Sequence, residues 1–165
     1  MPSLKASLKK RLEGAEAVAV LAVGSTLRGD DAAGLLAAEQ LKGALAGKSV
    51  RPRVRVFAGD TVPENLTGEI KKFRPSHLVI LDAADVARKA GCVQLLEPDV
   101  PTCNFSPSTH TLPFSVLATY LRGFFPCEIV VIGIQPSTRG FGRAPSKPVR
   151  DAARRVSDLI VSALM

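Results

Sequence analysis

Four polar positions sit where this chain could do chemistry. Asp30-Asp31 follows one short apolar, β-branched run and opens a helical pattern, and Asp82 closes another such run. His110 lies in the loop Ser106-Pro107-Ser108-Thr109-His110-Thr111-Leu112-Pro113, just ahead of a helix. If the runs are parallel strands, both aspartate segments leave the sheet at its carboxyl edge, where open α/β sheets hold their ligands. One aspartate of the Asp30-Asp31 pair, Asp82 and His110 converging there would make a mixed O,O,N ligand set for a divalent transition metal, with positions left for water or substrate. Each residue taken alone has a plainer role. Asp30 or Asp31 could cap the following helix, Asp82 could be a polar strand end, and His110 an ordinary loop histidine. Their shared edge favours a site. His77 precedes the third strand, at the opposite edge, and is assigned no role.

Apolar runs at 17–23, 54–58, 78–81 and 128–134 suit strands covered on both faces, and a weaker one spans 92–96. Helical patterns lie at 31–46, 63–73, 113–121 and 148–164, with a short optional helix at 3–12. Proline opens the second, third and fourth of the main helices, where it suits a first turn. The alternation predicts an α/β domain with three α/β/α layers and right-handed crossovers. Only about nine residues join Asp82 to Cys92, too few for a parallel crossover. The fourth strand should therefore be short and antiparallel in a mixed five-stranded sheet. The expectation is one domain over residues 1–165.

Composition narrows the function. Hydrophobic residues make up 46% and charged residues 22%, which excludes a disordered chain or a coiled coil. Basic residues exceed acidic ones by 22 to 15, but they are scattered. With one tyrosine and no tryptophan there is little to stack on bases, so no nucleic-acid partner is expected. Cys92, Cys103 and Cys127 form no CxxC pair and no complete disulfide framework, which suits a reducing cytoplasm. Basic residues at 5–11 followed by the run 17–23 faintly resemble a signal peptide, but Glu13 and Glu16 intrude. No stretch approaches a membrane span.

The segment Gly24-Ser25-Thr26-Leu27-Arg28-Gly29-Asp30-Asp31-Ala32-Ala33-Gly34 is neither GxGxxG nor a Walker loop, and HExxH and GxSxG are both missing. Cys103 is read as a free thiol rather than a nucleophile. That first segment resembles GNxLxxDDGxG, the N-terminal motif of the hydrogenase maturation endopeptidases. Four further segments resemble the family's in order: Gly59-Asp60-Thr61-Val62-Pro63-Glu64-Asn65, Leu81-Asp82-Ala83-Ala84-Asp85, Ser108-Thr109-His110-Thr111-Leu112-Pro113 and Gly133-Ile134-Gln135-Pro136. The last two look closest to the branch serving formate-hydrogenlyase-type, energy-converting NiFe hydrogenases. Ser25 stands where the family usually has Asn, and Ala32 where it has Gly.

The resemblance implies an endopeptidase that cuts a C-terminal extension from the nickel-loaded large-subunit precursor of a NiFe hydrogenase. The family's metal-recognising residues fall on Asp31, Asp82 and His110. Nickel would arrive with the substrate, and zinc or cadmium could stand in for it. No Ser-His or Cys-His arrangement can be placed, so a water activated by the metal or a carboxylate is the expected nucleophile. Glu64, Thr109 and Gln135 are expected to flank the crevice. Two other readings compete. A receiver-type signalling domain would use the acidic pair, Asp82 and Lys147, and a binding module on the same fold would keep the triad and cut nothing.

Overall fold

Seven consecutive small or branched apolar residues make Ala17–Val23 (β1) a strand that can be covered on both faces, and all seven are buried. The computed structural model describes residues 1–99, 104–105 and 113–165. Its other strands are β2 (Arg53–Asp60), β3 (His77–Asp85), β4 (Val93–Leu96), β5 (Asn104–Phe105) and β6 (Glu128–Ile134). Its helices are α1 (Leu4–Arg11), α2 (Ala33–Leu45), α3 (Thr67–Phe73), α4 (Phe114–Arg122) and α5 (Lys147–Leu164). The main sheet runs β2-β1-β3-β6-β4, with β2, β1, β3 and β6 parallel and β4 antiparallel to β6. The mixed five-stranded α/β sheet and its short antiparallel fourth strand match expectation.

Strand pleating sends alternate residues to opposite layers. Val18, Val20, Val79, Leu81, Val130 and Ile132 meet α2 and α5, whereas Ala19, Leu21, Leu78, Ile80, Ile129 and Val131 meet α3 and α4. Helix α5 starts with proline in its first turn and buries Val149, Ala152, Ala153, Val156 and Ile160 along one stripe. Alanines on α2 (Ala33, Ala37 and Ala38) join the same core, so two small-residue faces let these helices lie close.

Three departures bear on function. β2 is an edge strand rather than one covered on both faces. Its Arg53 and Arg55 are exposed, with guanidinium groups 5.1 Å and 4.8 Å from the Phe73 and Phe57 ring centroids. The helical patterns at 31–46 and 63–73 each begin with a 3-10 turn, Gly29–Ala32 and Pro63–Leu66, before the α-helix. β3 continues three residues past Asp82. β6 stays paired with it through Ala83, and the two-residue β5 pairs antiparallel with Ala84 and Asp85. Asp82 therefore lies within a strand, opposite Gly133 of β6, and does not terminate it.

Candidate functional site

The loop after β1 must turn sharply back onto the sheet, and glycine permits it. Gly24 has φ +139, and a Cβ there would lie 2.0 Å from the Asp31 carbonyl oxygen. The Ser25 hydroxyl accepts from the Leu27 N–H at 3.2 Å, shaping the loop without an asparagine amide. Ala32 has φ −77 and ψ −1, a conformation that needs no glycine. Three residues beyond Asp31, a Cβ on Gly34 would sit 2.2 Å from the carbonyl oxygen of Leu81, the residue before Asp82. Close backbone approach thus brings the start of α2 against β3 beside Asp82, and places Asp31 and Asp82 at the same carboxyl edge.

Asp30, Asp31 and Asp82 all have zero exposure. Asp30 does not cap α2, which has no side-chain cap bond. Its carboxylate accepts from the N–H groups of Ser137 (2.7 Å), Thr138 (3.0 Å) and Ser146 (2.6 Å), and from the Ser146 hydroxyl (2.8 Å). Ser146 is the residue ahead of α5, so Asp30 sits at the positive end of that helix. Burial pushes the Asp30 carboxyl up, but these four hydrogen bonds more than offset it and hold the group below its ordinary range. The Asp30 N–H donates to Thr138 O (2.6 Å), and Gly29 N–H to Arg143 O (3.0 Å). The acidic loop and the loop at 135–146 are therefore latched together.

Asp31 faces Arg139 on the latched loop, with Nε 3.9 Å from its Oδ1. Asp82 points to the α3 and α4 side, by the same parity as Leu78 and Ile80. His110 and Thr109 lie outside the described residues, as does Cys103. Among the described residues, no three His, Cys, Asp or Glu side chains form a group that could hold a metal ion.

Gln135 is buried, and its amide is committed to protein. Oε1 accepts from Val86 N–H (2.8 Å) and Arg88 N–H (3.3 Å), and Nε2 donates to Asp85 and Pro136 O. It orders the connection after β3 rather than reaching a substrate. The Ala87 N–H and the Gln135 amide hold the Asp85 carboxyl below its ordinary range, with Arg139 adding to the effect. Glu64 is half-buried in the first turn of the 3-10 segment. Cys127 is buried, and burial pushes its thiol up to about 11, which leaves it inert at neutral pH. Lys147 pairs with Asp151 at 2.8 Å on the surface of α5, so the lysine that the signalling reading needs is committed within its own helix. Sequence reasoning missed the latch and Arg139. The only hint was a stretch rich in serine, threonine and arginine behind β6.

A mixed α/β sheet with buried carboxylates at its carboxyl edge defines the fold class, and comparison with known proteins makes the family specific. The family described as HycI, hydrogenase maturation protease, matches residues 36–163. The Hydrogenase 3 maturation protease of Escherichia coli K12 is 34% identical over 137 residues, covering 83% of this chain and 84% of that protein. The crystal structure of a NiFe hydrogenase maturation protease HycI from Thermococcus kodakarensis superposes with TM-score 0.81 at 27% identity, covering 96% and 98% of the two chains. The solution structure of the endopeptidase HycI from Escherichia coli gives 0.72 at 32% identity, covering 86% and 87%. This chain belongs to the hydrogenase maturation protease family and is a hydrolase of that kind.

Proposed function

We propose that this protein removes a C-terminal extension from the nickel-loaded large-subunit precursor of a NiFe hydrogenase of the formate-hydrogenlyase type, in the cytoplasm. The observation that carries the reading is the complete burial of Asp31 and Asp82 at one strand edge. Burying carboxylates is costly unless charge or hydrogen bonds compensate. Four donors meet Asp30 and Arg139 faces Asp31, and the oxygens of Asp31 and Asp82 suit a cation that enters with the substrate. His110 is the third member of the set, contributing a neutral imidazole nitrogen. The likeness to a Hydrogenase 3 maturation protease supports the branch. Among the described residues no helix is long and apolar enough to cross a membrane.

Asp31 and Asp82 orient the nickel-bearing segment and exclude bulk water from it. Nickel held by Asp31, Asp82 and His110 would supply positive charge to the reacting peptide. A carboxylate of the pair would take a proton from the water as it attacks the scissile carbonyl and return it to the leaving amine as the C–N bond breaks. The test incubates the protein with nickel-loaded precursor and with the same precursor lacking nickel. Loss of a short C-terminal peptide is expected only in the first case, and Asp82→Asn should abolish it. Cleavage of both precursors alike would remove nickel recognition from the proposal, and normal cleavage by Asp82→Asn would remove Asp82.

A further inference from the structure

Large apolar side chains are mostly buried in this protein, yet two stand exposed on the latched loops beside the site. Phe141 is 73% exposed and Leu27 is 60% exposed. Their positions are fixed relative to each other, because the Gly142 N–H donates to the Leu27 carbonyl at 2.8 Å. The Asp30 latch secures the same two loops a few residues away. The apolar pair is therefore held by backbone bonds on both sides.

Charge around the pair is one-sided. Residues 24–32 and 135–147 carry Arg28, Arg139, Arg143 and Lys147, and their only acidic residues are Asp30 and Asp31. Both of those are fully buried. Every exposed charge on the two loops is positive. Arg139 also links the rim to the site: two residues before Phe141, it turns inward to within 3.9 Å of Asp31. Arg139 Nε and Nη2 are buried without a hydrogen-bond partner among the described residues. Arg139 thus ties the rim that carries Phe141 to the carboxylate beneath it.

We propose that Leu27 and Phe141, ringed by Arg28, Arg139 and Arg143, form the docking surface for the substrate protein. The matching segment would present an apolar side chain flanked by carboxylates. This rests on the proposed endopeptidase function and adds what the enzyme grips outside the scissile bond. A second copy of this chain is a poor occupant, because two such rims would bring like charges together. An anionic lipid surface is the competing occupant, and the experiment separates it.

The experiment measures binding and cleavage of nickel-loaded precursor by the parent, by Leu27→Ser/Phe141→Ser, by Arg28→Gln/Arg143→Gln, and by Phe124→Ser. Phe124 is 55% exposed on the far side, just beyond α4, and serves as control. The double apolar variant should bind about ten-fold or more weakly, as expected for an exposed aromatic anchor. Its KM should rise while kcat holds, because the surface lies outside the reacting groups. The double arginine variant should lose most of the salt dependence of association. Phe124→Ser should match the parent. Unchanged KM in the apolar variant, with cleavage intact in the parent, would overturn the docking surface alone. So would a loss shared equally by Phe124→Ser, or a variant that loses binding only to phosphatidylglycerol vesicles. A parent that neither binds nor cuts the precursor would overturn the endopeptidase reading, and this inference with it.

Discussion

The two ends of the sheet handle charge in opposite ways. At the amino edge, polar groups stay near water and find ordinary partners. Arg11 reaches Glu97, Glu128 at 2.7 Å and the Ile129 carbonyl at 2.8 Å, and the glutamates are half exposed. The Ser76 hydroxyl ties Glu16 and Ala17 to the start of β3. Such ion pairs are each worth about 0–1 kcal/mol and hold strand starts in place. At the carboxyl edge, three carboxylates are withdrawn from water completely. Asp30 is met there by four donors, and Asp31 faces Arg139. The contrast shows that burial of charge alone does not mark a reactive group. The surroundings decide, and the proposed function divides two adjacent aspartates between structure and chemistry.

The largest effect should come from Asp31→Asn. The amide keeps the shape but removes the anion facing Arg139 and, on the proposed function, the oxygen charge that would meet the nickel. Processing of nickel-loaded precursor should fall by about 10²-fold or more, the scale of a lost acid–base group. The thermal midpoint should stay within a few degrees of the parent. A large drop in the midpoint would place Asp31 with Asp30 as a structural group and collapse the division between them.

Asp30→Ala should do the reverse. It strands three backbone N–H groups and a hydroxyl that now share one carboxylate. The expected loss is about 3 kcal/mol, or roughly 6–12 °C in the melting temperature for a domain of this size. The pH dependence has a definite sign. Because the folded group lies below its ordinary range, its stabilisation is present above the unfolded carboxylate range and is lost as pH falls through the depressed value. Asp30→Asn should therefore flatten the acid limb of the stability profile, read by urea melts below about pH 4. An unchanged acid limb would mean that the latch does not need its charge.

The sequence displayed the strands well, since β1 and β6 begin and end where their apolar runs do. It placed Asp31 and Asp82 at a common edge for the same reason: parallel strands must release their loops on one side. The extension of β3 to Asp85 was hidden, because small residues such as Ala83 and Ala84 carry a weak strand signal and their pairing comes from β5 and β6. The latch was hidden too. Asp30 and Ser146 lie far apart in the chain, and nothing local marks Asp30 as the carboxylate that receives N–H groups from the loop at 137–146. The edge position of β2 is likewise a property of strand order, visible in retrospect only as arginine at alternate positions.

The smallest effect concerns His77, which sequence reasoning puts at the edge opposite His110. His77 starts β3, with Nδ1 3.0 Å from the Ser76 hydroxyl. Burial lowers its pKa below the ordinary 6.5, and Arg11 adds to that while Glu128 works against it. The fold thus favours neutral His77, and the unfolded chain takes up a proton first as pH drops. Its contribution is fully present above 6.5 and is lost as pH falls through the lowered value. His77→Gln should remove a shallow slope in urea midpoint between about pH 5 and pH 7 and leave precursor processing unchanged. His110→Gln should leave that slope in place and abolish processing. If His77→Gln impairs cleavage instead, the amino edge takes part in function and the opposition between the two edges fails.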